Sequence, residues 1–316
     1  MEEELKRGAG GSAGKTLLQD ENHLMYYRRK IALSLVEAFG GRLSSTRFQK
    51  LLFLFTRRQE EPSYSFIPYK YGCYSSLAAY DKGALVDKEK VRKSEGWEIT
   101  SDKKYRNEIS DEDIRALIDL KEDFEQLDTQ EIIEYVYKKH PYYSVNSEIR
   151  EDILGQNGNT DRVDFTYFSD KRVVTLGYEG RDIDEYVNEL YRSGANALCD
   201  VRKNAVSRKH GFSKNQLRRA VGRVGISYHH IPALGISSGK RTSLNSDADY
   251  QELFEDYEEE VLPDRQRKLN QVLELLDENK RIALTCYEAD PEYCHRSRIT
   301  KALSERPEWT AEITHL

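Results

Sequence analysis

Hydrophobic and polar positions change period along this chain, and the change divides it. From Tyr27 to Lys139 apolar residues recur at helical spacing. Ile31, Leu35, Ala38 and Phe39 share one helix face, and Gly40-Gly41 predicts its stop. Phe48, Leu51, Leu52 and Phe55 form the stripe of a second helix, Arg47 to Thr56, capped by Ser44-Ser45-Thr46. Ser75 is expected to cap a third, running to about Lys82. A weakly alternating stretch from Leu85 to Glu98 and a charged turn at 101–104 suggest a hairpin. Two further helices, about Asp111–Gln126 and Thr129–Lys139, complete a mainly α, winged-helix-like N-terminal domain.

Beyond Arg172 the pattern alternates short apolar runs with amphipathic helices. Val173 to Tyr178, Ala197 to Val201, Ile226 to Pro232 and Ile282 to Cys286 read as strands. Ile183–Arg192, Asn215–Val224, Tyr250–Val261 and Asp264–Asn279 read as helices, with a last strand within Trp309–Leu316. Strand–helix–strand units with short loops predict an α/β domain with a mainly parallel sheet, whose ligand face lies at the carboxyl strand ends. The expected division is a disordered tail at 1–22, a helical module at 23–142, a linker at 143–171 centred on Gly155–Asn159, and the α/β domain at 172–316.

Composition narrows the classes. The chain has 316 residues, 33% of them charged, and a net charge of −6. No stretch approaches the roughly 18 continuous apolar residues of a membrane helix, so no membrane partner is expected. Four cysteines without framework spacing suit a reducing, cytoplasmic setting. His229 and His230 alternate across a strand and cannot both ligate from it. The sequence therefore assigns no metal ligands and no cofactor.

Charge placement says more than the sum. Arg202, Lys203, Arg208, Lys209, Lys214, Arg218, Arg219 and Arg223 face no acid within their own segment, and Ser213 is a fair N-cap at its break. Tyr178, Glu179, Asp200, Arg202 and Glu288 all fall just after predicted strands. Cys294, His295, Arg296 and Arg298 open a predicted helix, where free N–H groups attract anions and favour a thiolate. These residues form the candidate site. Glu179, Asp200 or Glu288 would serve as general acid or base, and Tyr178, Arg202, Arg208, Lys209, Ser213, Lys214, His295, Arg296 and Arg298 as ligand contacts. Cys294 stands as an alternative nucleophile of rhodanese or phosphatase type, although no six-residue cradle loop follows it.

Two resemblances accompany this reading. Phe48-Gln49-Lys50-Leu51-Leu52-Phe53-Leu54 followed by Tyr69-Lys70-Tyr71-Gly72-Cys73-Tyr74-Ser75 resembles the SocA-like (Panacea) antitoxin domain, with Cys73 where that family usually has proline. The likeness implies a module that grips a partner protein in toxin–antitoxin or antiphage-defence systems. Five ordered motifs resemble domain-of-unknown-function family 488: Leu176-Gly177-Tyr178-Glu179-Gly180, Cys199-Asp200-Val201-Arg202, Gly211-Phe212-Ser213-Lys214, His230 to Gly235, and Cys286-Tyr287-Glu288 through Cys294-His295-Arg296. No reaction is implied by that likeness. The expectation is a nucleic-acid- or nucleotide-directed protein of defence or repair type, possessing either a hydrolase or glycosidase-type activity or none, as a sensor would.

Overall fold

In the N-terminal half, apolar stripes and serine caps produce the helices where the periodicity places them. The computed structural model describes residues 25–155, 170–241, 244 and 246–316; the expected tail and most of the expected linker lie outside them. Helix α1 (Tyr27–Ala38) buries Ile31, Leu35 and Val36 and ends at Gly40 and Gly41, both at positive φ. Strand β1 (Arg42–Leu43) leads into α2 (Ser45–Thr56), whose Ser44 side chain accepts the Arg47 N–H. Strands β2 (Ile67–Tyr69) and β3 (Gly72–Tyr74) form a hairpin, and the Ser75 side chain caps α3 (Ser76–Asp87), one turn longer than expected. The expected wing is smaller than a full hairpin. Strand β4 (Trp97–Glu98) pairs antiparallel with β1, and Val91 bridges Ile99. Helices α4 (Asp111–Phe124) and α5 (Thr129–Lys139) close a core in which Phe48 stacks on Trp97 at 3.8 Å.

The first part of the expected linker is folded onto this core. Tyr143 meets Phe53 edge-on, Glu148 N–H donates to the Lys70 carbonyl, and α6 (Arg150–Leu154) packs Ile153 and Leu154 inward. Low periodicity hid this because a single short turn anchored by scattered side chains has no repeat to detect.

The C-terminal half follows the predicted alternation: β5 (Arg172–Gly177), α7 (Ile183–Arg192), β6 (Ala197–Asp200), α8 (Lys214–Gly222), β7 (Ser227–His230), α9 (Asp247–Asp256), α10 (Gln266–Asn279), β8 (Arg281–Cys286), α11 (His295–Ser304) and β9 (Glu312–His315). The five strands lie parallel in the order β7-β6-β8-β5-β9. Alternate residues feed opposite faces. Val173, Ala197, Cys199, Ile282 and Leu284 meet α9, α10 and α11, while Val174, Leu176, Leu198 and Ala283 meet α7 and α8. Burial on both faces explains the near-continuous apolar strands. Among the described residues, no helix is long and apolar enough to cross a membrane.

The halves dock through the β2–β3 hairpin and α3. Ile67 enters the core under α7 and α8, Arg223 donates to the Ser76 hydroxyl at 2.8 Å, and Tyr80 stacks on His210 at 3.6 Å. At the centre lies Asp184, 1% exposed, whose Oδ2 accepts from the Ser75 hydroxyl (3.0 Å) and the Leu77 N–H (2.9 Å). Among the described residues its Oδ1 has no hydrogen-bond partner. Burial, and next the nearby charge of Asp182, push its pKa up to about 6. A raised acid pKa favours the folded state while the group is protonated, so this stability is present below the ordinary value near 3.8 and is lost as pH rises through about 6. Asp184→Asn should therefore stabilise the protein at pH 7.5 by on the order of 1–2 kcal/mol and flatten its stability between pH 4 and 6. Denaturant melts of both proteins across that range test this, and an unchanged slope would refute the titration.

Candidate functional site

At the carboxyl end of β6 the chain turns back on itself through an ion pair. Asp200 is fully buried and Arg202 only 5% exposed. The guanidinium donates Nε to Oδ1 at 2.8 Å and Nη2 to Oδ2 at 2.5 Å, and the Arg202 backbone N–H also reaches Oδ1. Tyr228 on β7 donates its hydroxyl to Oδ2 at 2.6 Å. The remaining guanidinium nitrogen donates to the Tyr178 hydroxyl (3.0 Å) and the Phe212 carbonyl (2.9 Å). Burial works against the arginine's charge, but hydrogen bonds and attraction from Asp200 override it and raise its pKa. Burial first, then the charge of Asp200, raises that of Tyr228. The arrangement joins β5, β6, β7 and the 212 loop. It corrects two sequence expectations: Asp200 is committed to four donors and Arg202 to neighbouring oxygens, so neither presents itself to a ligand.

The β8 loop is sealed in a similar way. Arg296 is fully buried and donates to the carbonyls of Glu288 and Ala289. It braces the loop from inside, which corrects its expected role as an anion contact. Glu179 is exposed; its carboxylate accepts the Ala289 N–H at 3.0 Å and its own N–H donates to the Tyr287 carbonyl at 2.9 Å. The β5 and β8 loops are thereby joined. Gly177 permits the approach, because a Cβ there would lie 1.7 Å from the Glu288 carbonyl oxygen. Tyr178 stacks on Phe212 at 4.3 Å and meets Tyr287 edge-on. Tyr287 is exposed, and burial followed by the charges of Glu179, Tyr178 and Glu288 raises its pKa.

Cys294 precedes α11 as expected, but its thiol is fully buried. Burial and the adjacent Cys286 thiol push its pKa well up, correcting the expected helix-stabilised thiolate. Desolvation outweighs the helix dipole here. His295 lies between the sulfurs, with Nδ1 at 3.6 Å from Cys286 Sγ and 3.9 Å from Cys294 Sγ, and Nε2 at 3.1 Å from the Val201 carbonyl. It too is buried, 1% exposed, and so faces the interior and not a ligand surface.

The basic segment divides into anchors and a free face. Ser213 makes no capping bond to α8; its hydroxyl donates to the Ser207 carbonyl and accepts the Ser207 N–H, closing the 207–213 loop. Lys209 turns inward to the Tyr178 carbonyl at 3.0 Å, and burial lowers its pKa. Lys203, Arg208, Arg218 and Arg219 are exposed, Lys214 and Arg223 partly so. Among the described residues none of these six forms an ion pair. Arg218 lies over the Tyr228 ring. Arg219 and Arg223 line an open cleft of about 580 Å³ between the halves, with Tyr69, Asn146 and the Lys70–Glu148 ion pair on its other side.

Arg298 stands apart. It pairs with Glu258 at 3.5 Å, lies over Phe254, and borders a separate cleft of about 510 Å³ with Asp247, Tyr250, Tyr293 and His315. Helix α11 packs on one face of the sheet and α8 on the other, so the single anion site expected from the sequence is divided by the sheet. The sequence reading missed Asp184, Tyr228 and the Cys286–His295 contact. A buried acid one position inside a capped helix, and two cysteines eight positions apart, have no distinctive local pattern.

The fold and strand ends define an all-parallel α/β domain with internally braced loops, docked to a helix-rich half. Residues 182–303 match the family model described as Domain of unknown function DUF488, a span that takes in the Asp200–Arg202 pair, the 211–214 turn and the Cys294-His295-Arg296 helix start. No curated protein and no solved structure matches the chain.

Proposed function

We propose that this protein binds the phosphate backbone of nucleic acid on the α8 face and the adjoining cleft between its halves. The carrying observation is the cluster of cations at 203–223 that has no carboxylate partner among the described residues, in a chain of net charge −6 where arginines elsewhere, such as Arg28, Arg29, Arg172 and Arg281, are paired. Unpaired cations of one sign repel each other, and polyanion binding relieves that repulsion. Arg218 on Tyr228 and Tyr69 in the cleft add flat surfaces on which bases or sugars can rest.

The helical half serves as the second wall. Its docking segment is the Tyr71-Gly72-Cys73-Tyr74-Ser75 run whose likeness to SocA-like modules implies the gripping of a partner. Contacts from Ser75 and Leu77 to Asp184 support the reading that one gripped partner is the α/β half of the same chain. A role in defence or repair is consistent with such a platform. The reading is one of binding. A thiol-based transferase gains no support from a Cys294 without solvent exposure, and Glu179, beside Tyr287, is an exposed carboxylate available for any chemistry.

The test is fluorescence polarisation with labelled single- and double-stranded DNA and RNA. Arg208→Glu, Arg218→Glu and Arg219→Glu together should weaken binding at least about 100-fold at low salt, and the parent's affinity should fall steeply as salt rises. Lys209 is left in place because it anchors Tyr178. Binding by the triple variant equal to the parent's, or no binding of any oligonucleotide by the parent, would remove the proposal.

A further inference from the structure

We infer that Cys286, Cys294 and His295 are the protein ligands of a zinc-class divalent cation. Their donor atoms all lie within 4.8 Å of one another. A tetrahedral ion with ordinary zinc–sulfur and zinc–nitrogen bonds separates an imidazole nitrogen from a thiolate sulfur by about 3.5 Å, and two sulfurs by about 3.8 Å. The observed Nδ1–Sγ separations are 3.6 and 3.9 Å. The nitrogen–sulfur separations therefore need shifts of only a few tenths of an ångström, and the sulfurs, within 4.8 Å of each other, would draw together to the tetrahedral spacing.

The tautomer is set correctly for ligation. A carbonyl only accepts, so the 3.1 Å contact to Val201 requires the proton on Nε2. That leaves the Nδ1 lone pair directed at the thiols. A metal-bound histidine characteristically has its second nitrogen held by a carbonyl or carboxylate in this way. The three side chains are 2%, 0% and 1% exposed. Two thiolates and a neutral imidazole bring a divalent ion to net zero charge, which a buried site requires. On binding, each thiol releases its proton to solvent and no electron is transferred. Two sulfurs and an imidazole select zinc-like ions over magnesium or calcium. Among the described residues three protein donors come together, and a fourth tetrahedral position remains for another donor. The ion would fasten the end of β8 to the start of α11, and through Val201 to the β6 loop.

The experiment uses the full chain purified under reducing conditions without chelators. Elemental analysis should find about one zinc per chain. Apoprotein titrated with cobalt(II) should develop thiolate-to-cobalt charge-transfer absorption in the near ultraviolet and the visible bands of tetrahedral cobalt. Cys294→Ser and His295→Gln should lose the charge-transfer intensity or the tetrahedral bands, whereas Cys199→Ser, a buried thiol outside the trio, should keep both. If a ligand variant fails to fold, the parent titration decides alone. Parent apoprotein that gives no thiolate–cobalt band overturns the inference, as does a Cys294→Ser spectrum identical to the parent's, or zinc-free protein with a Cys286–Cys294 disulfide. None of these readouts depends on nucleic-acid binding, so failure here leaves the proposed function standing, and the reverse.

Discussion

Arg202→Met should destabilise the protein by about 3–5 kcal/mol at pH 7.5, because it strands a fully buried carboxylate. Asp200 would retain the Tyr228 hydroxyl and one backbone N–H but lose both guanidinium bonds and the opposite charge. The Tyr178 hydroxyl and the Phe212 carbonyl would lose their donor at the same time. Without its partner the carboxylate stays buried as an uncompensated ion, and most of the loss arises there. Adding Asp200→Asn to Arg202→Met should recover part of it, since removal of both charges leaves no unpaired ion. Urea unfolding of the two single variants and the double variant measures all three quantities. A cost for Arg202→Met below about 1 kcal/mol would return Arg202 to the ligand-binding role expected from the sequence.

Gly177→Ala should be comparably severe, for a steric reason. The added methyl would lie 1.7 Å from the Glu288 carbonyl oxygen, 2.5 Å from its carbon and 3.0 Å from the Ala289 Cα. All three atoms are backbone, so relief requires the β8 loop to move away from β5. That movement would break the Ala289–Glu179 bond and displace the carbonyls that Arg296 holds. A loss of about 3 kcal/mol or more is expected. Gly180→Ala is the matched control: its φ of +78° is strained for alanine, but nothing lies within 4 Å of the new methyl. It should cost only about 1 kcal/mol. Thermal unfolding of both variants separates crowding from backbone strain. Equal costs would mean that the loop accommodates the methyl and that the approach at Gly177 is not tight.

Local signals account for what was legible. The β5, α7, β6 and β8 boundaries agree with the hydrophobic runs to within a residue or so, because strands buried on both faces must be continuously apolar. Ser44 and Ser75 cap as read, since a cap bond spans only three residues. The strand-end residues were found for the same reason: the end of a predicted strand is a place known from the sequence. Their roles were not, because a role depends on which donor comes within 3 Å across the fold. Asp200 and Arg202 are neighbours in sequence, yet Tyr228 and Phe212 decide that the pair is sealed.

The amino-acid sequence by itself determined the two-part organisation, the parallel α/β alternation and the one-signed charge of 202–223. Each follows from periodicity or composition within a short window. Only the tertiary structure decided that Arg202 and Arg296 turn inward and that the sheet separates Arg298 from the basic helix. It alone brought Cys286 to His295 and placed Ser75 on Asp184 across 109 positions. Burial and long-range packing set whether a charged or thiol side chain is a support or a surface, and neither is a property of its neighbours in the chain.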